Sequence, residues 1–206
     1  MPSPRPETPK ASTGTATPVA SSPQHAFLLR LRSLCGKAFA GRIVTDTPVT
    51  ADDPFAGKPL VMHVRECNDN TVRIPFHVGD DRSRTWVITF DQPHHVLRLK
   101  HDHRHADGSE DAITLYGGSS PARTAEKPTE QSADRWRFEF PADLYSRALF
   151  RARDRKVSIS NVWALELDAQ RFVYELARPN RLFRVEFDLT QPQQSLPPAP
   201  WGAAGG

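Results

Sequence analysis

The chain has 206 residues and a formal net charge of +3 at pH 7, so its acidic and basic side chains nearly balance. It contains no lysine- or arginine-rich block of the kind that tracks a phosphate backbone, which argues against nucleic-acid binding. All its apolar runs are shorter than the roughly 18 residues that a bilayer crossing needs, so the sequence predicts no membrane span. A chain of this length fits one domain with a substantial core.

Both ends of the chain differ in composition from the middle. Residues 1–24 are almost entirely Pro, Ser, Thr and Ala with scattered charges, and residues 191–206 are rich in Pro and Gly. Such segments bury too little apolar surface to offset the entropy cost of ordering, so both are predicted to be disordered tails around a single β-barrel domain at 25–190. The N-terminal tail looks like the spacer that follows a removed signal peptide or a lipid-attachment cysteine; an ordinary cytosolic tail is the alternative.

The chain has two cysteines, Cys35 and Cys67, which could form one disulfide or remain buried free thiols. Their spacing matches no zinc-binding pattern. Together with the N-terminal tail, the pair favours the disulfide and an oxidising compartment, so the protein is predicted to be periplasmic or secreted.

The apolar pattern changes along the chain from helical to alternating. Residues 26–35 carry apolar side chains at helical spacing and are followed by Gly36, which predicts a short N-terminal helix. Good helix formers predict a second helix near 142–153, and the polar segment 118–134 predicts a long exposed loop. Period-two alternation predicts strands at about 38–45, 59–67, 71–79, 84–91, 95–105, 111–117, 135–140, 159–167, 171–178 and 181–188.

About ten strands joined by short turns favour antiparallel neighbours, because a parallel pair needs a crossover connection. We therefore predict an all-β fold, an up-and-down meander that closes into a barrel or a strongly curved sheet. Barrels of about eight to ten strands hold side chains or one small ligand inside. The strand count resembles the calycin group of ligand-binding barrels by analogy only, because neither Gly36 nor Gly41 has the Trp two residues on that this group carries.

The most chemically distinctive stretch is the hairpin around Asp107-Gly108. Alternate side chains of a strand point to opposite faces, so one face of the strand before this turn carries both leucines and histidines. The returning strand at 111–117 adds a carboxylate to the same face. The predicted inward set is Leu97, Leu99, His101, His103, His105 and Asp111.

These residues support several hypotheses. The leading one is a non-enzymatic barrel that binds a small, partly apolar ligand, with the histidines at the entrance and the inward Trp163 and Tyr174 as further contacts. The first alternative is a metal-dependent enzyme in which His101, His103 and Asp111 bind zinc or a similar divalent ion, because imidazole and carboxylate are suitable ligands. His105 is a less suitable third ligand, since same-face residues lie about 6.5–7 Å apart along a strand. Two further alternatives are a cell-envelope protein-interaction module and a hydrated mouth that binds nothing.

A second charged stretch follows the turn at Asp80-Asp81. Arg82, Arg84 and Trp86 share one face there and could contact an anion or a saccharide, unless the two aspartates simply neutralise the arginines. Other charged and polar residues on the strands are predicted to be surface groups. The glutamates predicted to be surface ion-pair partners are Glu166, Glu175 and Glu186. The histidines predicted to lie on the surface are His63 and His77.

Several strings resemble an uncharacterised family of secreted proteins from Gram-negative bacteria. They are RIPFHVG at 73–79, DRSRTW at 81–86, KHDHRH at 100–105 with DGSED at 107–111, and FRVEFDL at 183–189. The likeness covers about 34–190 and implies export rather than a particular activity.

Overall fold

The structure is a computed structural model that describes residues 22–49, 53–120 and 135–203. These residues form one eleven-stranded sheet, two α-helices and a short 3-10 helix at Lys156–Ser160. The helices are α1 (Pro23–Arg32) and α2 (Leu144–Ala152). The strands are β1 (Ala38–Thr47), β2 (Leu60–His63), β3 (Glu66–Cys67), β4 (Thr71–Val78), β5 (Asp81–Asp91), β6 (Val96–His103), β7 (Tyr116–Ser119), β8 (Trp136–Pro141), β9 (Val162–Leu167), β10 (Arg171–Arg178) and β11 (Arg181–Pro192).

The strands are hydrogen-bonded in the order β7-β6-β5-β4-β2-β1-β11-β10-β9-β8, with β3 beside β4, and every pair is antiparallel. The sheet curls into a nearly closed barrel, so the predicted all-β fold is confirmed. Both predicted helices are also present. Within the described ranges, neither helix is long and apolar enough to cross a bilayer.

The two edge strands, β7 and β8, meet at a seam. The Asp143 N–H, just after β8, donates to the Gly117 carbonyl at 3.0 Å, and the Gly117 N–H donates to Ser146 Oγ at 2.7 Å. Gly118 lies so close to β8 that a Cβ there would come within 2.0 Å of the Pro141 carbonyl oxygen. Glycine is therefore the residue that lets the barrel close at this point.

Helix α1 fills one end of the barrel, which we call the closed end. Its N-cap is Ser22, whose side chain accepts from the His25 N–H, as an N-cap serine typically does. Phe27, Leu28 and Leu31 are fully buried, and the ring of Phe27 packs edge-on against Phe138 with centroids 5.2 Å apart. A disulfide between Cys35 and Cys67 ties the segment after α1 to β3, which confirms the predicted pairing.

The segment after β11 departs from the sequence prediction. Of the predicted disordered tail, residues 191 and 192 belong to β11, and residues 193–203 cross the outer face of the sheet, where the Trp201 N–H donates to the Arg82 carbonyl at 3.1 Å. This segment lies over the outward side chains of β2 and β4. His63 and His77 are consequently buried, at 3% and 4% exposure, and are not the surface residues that alternation alone predicts. Residues 1–21 and 204–206 lie outside the described part of the chain.

The strand predicted at 111–117 also differs. β6 pairs with residues 116–119 through His101 opposite Tyr116, and the segment before them is irregular, with Leu115 at a positive φ of 56°. Leu115 is exposed, although alternation predicts it to be inward. The turn at Asp107-Gly108 closes a much smaller loop, through a bridge between Arg104 and Glu110.

Candidate functional site

The end of the barrel opposite α1, which we call the open end, contains a pocket of about 370 Å³. Below it the interior is packed with the buried side chains of the core. Eight aromatic side chains line the pocket. They are Phe55, Phe76, Trp86, Tyr116, Phe150, Trp163, Tyr174 and Phe183.

Strand alternation accounts for most of this lining. Every second side chain of a strand points inward, and the inward series ends in a polar side chain as each of these strands approaches the open end. The series are Ile88, Trp86 and Arg84 on β5, Leu99, His101 and His103 on β6, Leu165, Trp163 and Asn161 leading into β9, and Tyr174, Leu176 and Arg178 on β10.

The aromatic side chains stack across strands, which holds the wall rigid. Trp86 lies parallel to Tyr174 with ring centroids 4.6 Å apart, and to Phe76 at 4.7 Å. Phe55 reaches over from the connection between β1 and β2 and stacks on Phe183 at 4.7 Å. Such pairs contribute about 0.5–1.5 kcal/mol each beyond their buried area. The pocket wall is therefore preformed.

His101 occupies the floor of the pocket and both of its ring nitrogens are hydrogen-bonded. Nδ1 lies 3.2 Å from the Tyr116 carbonyl oxygen and Nε2 lies 3.0 Å from the Tyr174 hydroxyl. A carbonyl can only accept, so Nδ1 carries the proton and Nε2 accepts from Tyr174. Burial lowers the pKa of His101 to about 3. The imidazole is thus neutral at pH 7 and acts as a fixed polar link between two tyrosines.

His103 lies nearer the entrance. Its Nε2 is 3.0 Å from the Tyr116 hydroxyl, and burial, together with the positive charge of Arg84, lowers the pKa of His103 to about 4. Both pocket histidines are therefore uncharged near neutral pH. The cations that line the pocket are the arginines Arg84, Arg155, Arg178 and Arg181.

Four of the eight predicted ligand-binding residues line this pocket: His101, His103, Trp163 and Tyr174. Leu97 and Leu99 point inward as predicted, but both are fully buried in the packed core below it. His105 is exposed beyond the end of β6. Asp111 lies outside the lining, and its carboxylate accepts from the Ile113 N–H at 2.7 Å. The inward register predicted for β6 thus extends to His103 and ends there, because the chain turns away after it.

The same geometry bears on the metal hypothesis. His101 uses both ring nitrogens for hydrogen bonds, and the Asp111 carboxylate accepts from the local backbone at the Ile113 N–H. No group of three or more His, Cys, Asp or Glu side chains in the described ranges is arranged to hold a metal ion. His101, His103 and Asp111 are therefore not brought together as a set of ligands.

Sequence reasoning missed much of the open end. Arg178 and Arg181 continue the inward series of β10 and β11. Extending the period-two alternation by one inward position on each strand would have predicted them. Phe150 comes from α2 and Arg155 from the turn after it, while Phe55 comes from the loop after β1. No strand pattern predicts where these three pack, because their positions depend on how the connections fold over the open end.

The outward glutamates have the predicted ion-pair partners, although two of them are more buried than a surface residue. Glu166 contacts Arg135, Arg137 and Arg184, and Glu175 contacts the last two of these arginines. Burial alone would raise the pKa of Glu166, but the arginine hydrogen bonds outweigh it and lower the pKa to about 2. These carboxylates stay ionised and are structural. In the same network of outward charges, Glu186 lies within 3.5 Å of Arg42 and of Arg171.

Comparison of the chain with known protein families, curated proteins and solved structures gave no match.

Proposed function

We propose that this barrel is a binding protein that takes up one small, partly apolar organic molecule in the pocket at its open end. The observation that carries the proposal is the pocket of about 370 Å³ with its aromatic wall. Ligand pockets are typically about 300–1,000 Å³, apolar over most of their surface, with a few fixed polar groups. The hydrogen-bonded set of His101, His103, Tyr116 and Tyr174 supplies such groups.

We further propose that the protein works outside the cytoplasm, in the periplasm or as a secreted protein. The Cys35–Cys67 disulfide fits an oxidising compartment, where such bonds persist. The resemblance to secreted proteins of Gram-negative bacteria points in the same direction. A lipid anchor upstream of the Pro- and Ser-rich tail would be compatible with this location.

Binding can be measured with N-phenyl-1-naphthylamine, a neutral probe that joins a naphthalene to a phenyl ring and whose fluorescence rises in apolar surroundings. Trp86 and Trp163 line the pocket, so their emission should be quenched as the bound probe accepts their excitation energy. We expect a saturable 1:1 titration with a dissociation constant in the micromolar range.

A matched pair of variants locates the binding site. Leu176 is half-buried and lines the pocket, whereas Leu182 on β11 is exposed and faces away from it. Leu176→Trp should fill the pocket and weaken probe binding at least tenfold, and Leu182→Trp should leave it unchanged. Circular dichroism confirms that both variants are folded. Equal binding by the two variants, or no binding by the wild type, would contradict the proposal.

A further inference from the structure

The mouth of the pocket is lined by several arginines, and its acidic neighbours include Asp81, which pairs with Arg84, and Asp111, whose negative charge acts on His103. Arg84, Arg155, Arg178 and Arg181 all line it, and the part of the lining that the structure describes includes neither Asp nor Glu. The four come from three separate parts of the chain, namely the start of β5, the turn after α2, and the hairpin between β10 and β11. The fold therefore gathers positive charge at one side of an aromatic pocket.

Two of these arginines are neutralised by neighbours outside the pocket. Arg84 forms an ion pair with Asp81, three residues before it. Arg181 forms an ion pair with Asp46 on β1 and also donates to the Pro48 carbonyl at 3.1 Å. These contacts hold both guanidinium groups in place beside the pocket.

The other two have no carboxylate partner among the described residues. The only side-chain contact of Arg178 there is a long one, from Nη1 to the Asn161 side-chain oxygen at 3.4 Å. Asn161 is itself buried and lines the same pocket. Arg155 forms no ion pair within 4 Å in the described ranges, and its own N–H is fixed by a hydrogen bond to the Phe150 carbonyl at 2.7 Å. Two guanidinium groups at the mouth thus have donors to spare.

Two arginines on the outer face of the barrel, unlike Arg155 and Arg178, have carboxylate partners among the described residues. There Arg137 and Arg184 contact both Glu166 and Glu175, at distances from 2.6 to 2.9 Å. In this network the half-buried arginines are therefore paired closely with acids. Leaving Arg178 half-buried without a carboxylate costs free energy, and this cost is recovered if an anion binds beside it.

We infer that the ligand of this pocket is an amphiphilic organic anion, whose apolar body lies against the aromatic wall and whose carboxylate, sulfonate or phosphate group is bound by Arg178 and Arg155. This inference rests on the proposed function, since it concerns the same pocket. Planar guanidinium groups bind such oxyanions through paired, charge-assisted hydrogen bonds. Arg84 and Arg181 are already paired with Asp81 and Asp46, so Arg178 and Arg155 are the two that bind the anionic group.

Two commercial probes test the inference, because they differ by a single group. 1-Anilinonaphthalene-8-sulfonate is N-phenyl-1-naphthylamine with an added sulfonate. We expect the wild-type protein to bind the sulfonate at least tenfold more tightly than the neutral probe. Raising the salt concentration should weaken binding of the sulfonate and leave the neutral probe unaffected.

The double variant Arg155→Gln/Arg178→Gln removes the two lining arginines that have no carboxylate partner in the described ranges. It should lose most of its affinity for the sulfonate, so that the two probes bind with similar affinity. The control is Arg147→Gln with Arg151→Gln, two exposed residues of α2 outside the pocket lining, which changes the net charge by the same amount. This control should keep the preference for the sulfonate. Leu176→Trp should weaken binding of both probes, which identifies the pocket as the site.

The possible results separate the two proposals. If the neutral probe binds but the sulfonate binds no more tightly, the inference fails and the proposed function stands. If the sulfonate preference survives in the double variant, or is lost equally in the control, the anion is not bound by Arg155 and Arg178 and the inference fails. If neither probe binds to the wild type, both proposals fail.

Discussion

The two ends of the barrel are built from the same alternating strands, yet only one of them is filled. At the closed end α1 buries Phe27, Leu28 and Leu31 completely among the strand residues. At the open end α2 contributes Phe150 to the pocket wall and leaves the space in front of it empty. Alternation determines which side chains point inward. The segment that covers each end determines whether the space between them is packed or hollow.

This difference predicts the largest effect on stability for Phe27→Ala. Removing a fully buried aromatic ring should lower the free energy of unfolding by about 3–5 kcal/mol, while binding of N-phenyl-1-naphthylamine to the folded protein stays unchanged. Phe55→Ala at the open end should do the reverse, with a smaller stability loss and weaker probe binding, because Phe55 is only half-buried and lines the pocket. Urea denaturation and probe titration of the two variants measure both quantities. Equal stability losses would mean that the two ends are packed alike.

We expect the disulfide, like Phe27, to contribute to the stability of the protein and not to probe binding. The 32-residue separation of Cys35 and Cys67 predicts that replacing both by Ser costs about 3–4 kcal/mol, since the unfolded chain regains the entropy of an open loop. Adding a reductant should destabilise the wild type and leave the double variant unaffected. The probe affinity of the folded variant should equal that of the wild type. A change in that affinity would show that the two ends are coupled.

The smallest expected effect concerns pH and the outer face. Burial, then the nearby His63, Arg82 and Arg65, lower the pKa of His77 to about 4, and Asp81 opposes them. A histidine whose folded pKa lies below its unfolded value of about 6.5 stabilises the protein fully above that value. This contribution is lost as pH falls from about 6.5 to about 4. Thermal stability should therefore decline between pH 7 and pH 5, a window in which the paired carboxylates remain ionised.

His77→Leu should remove part of that decline. Between pH 7 and pH 5, the melting temperature of the variant should fall by about 2–4 °C less than that of the wild type. The buried Nε2 of His77 has no hydrogen-bond partner in the described part of the chain, so leucine also removes an unsatisfied polar atom. Probe binding should not change, because His77 faces the C-terminal segment and not the pocket. Identical pH dependence in variant and wild type would contradict this origin of the acid sensitivity.

Much of the fold could be predicted from the sequence, because period-two alternation is a strong local signal. It places Trp163, Tyr174, His101 and His103 on the inner face, and all four line the pocket. Besides the connections that fold over the open end, two further features could not be predicted from alternation. His63 and His77 are buried by a C-terminal segment whose composition alone suggests disorder, since its contacts form only on the finished sheet. His105 is exposed because β6 ends at His103 and the chain turns away from the barrel before it reaches His105.

The most direct test of the account uses the four tryptophans as reporters, read by the indole N–H signals in a heteronuclear NMR spectrum. Trp86 and Trp163 line the pocket, Trp136 lies opposite Leu167 towards the closed end, and Trp201 lies on the outer face. Single Trp→Phe variants assign the signals. Titration with N-phenyl-1-naphthylamine should shift the signals of Trp86 and Trp163 and leave those of Trp136 and Trp201 in place. Shifts confined to Trp136 or Trp201, or no shift in any of the four, would contradict a binding pocket at the open end.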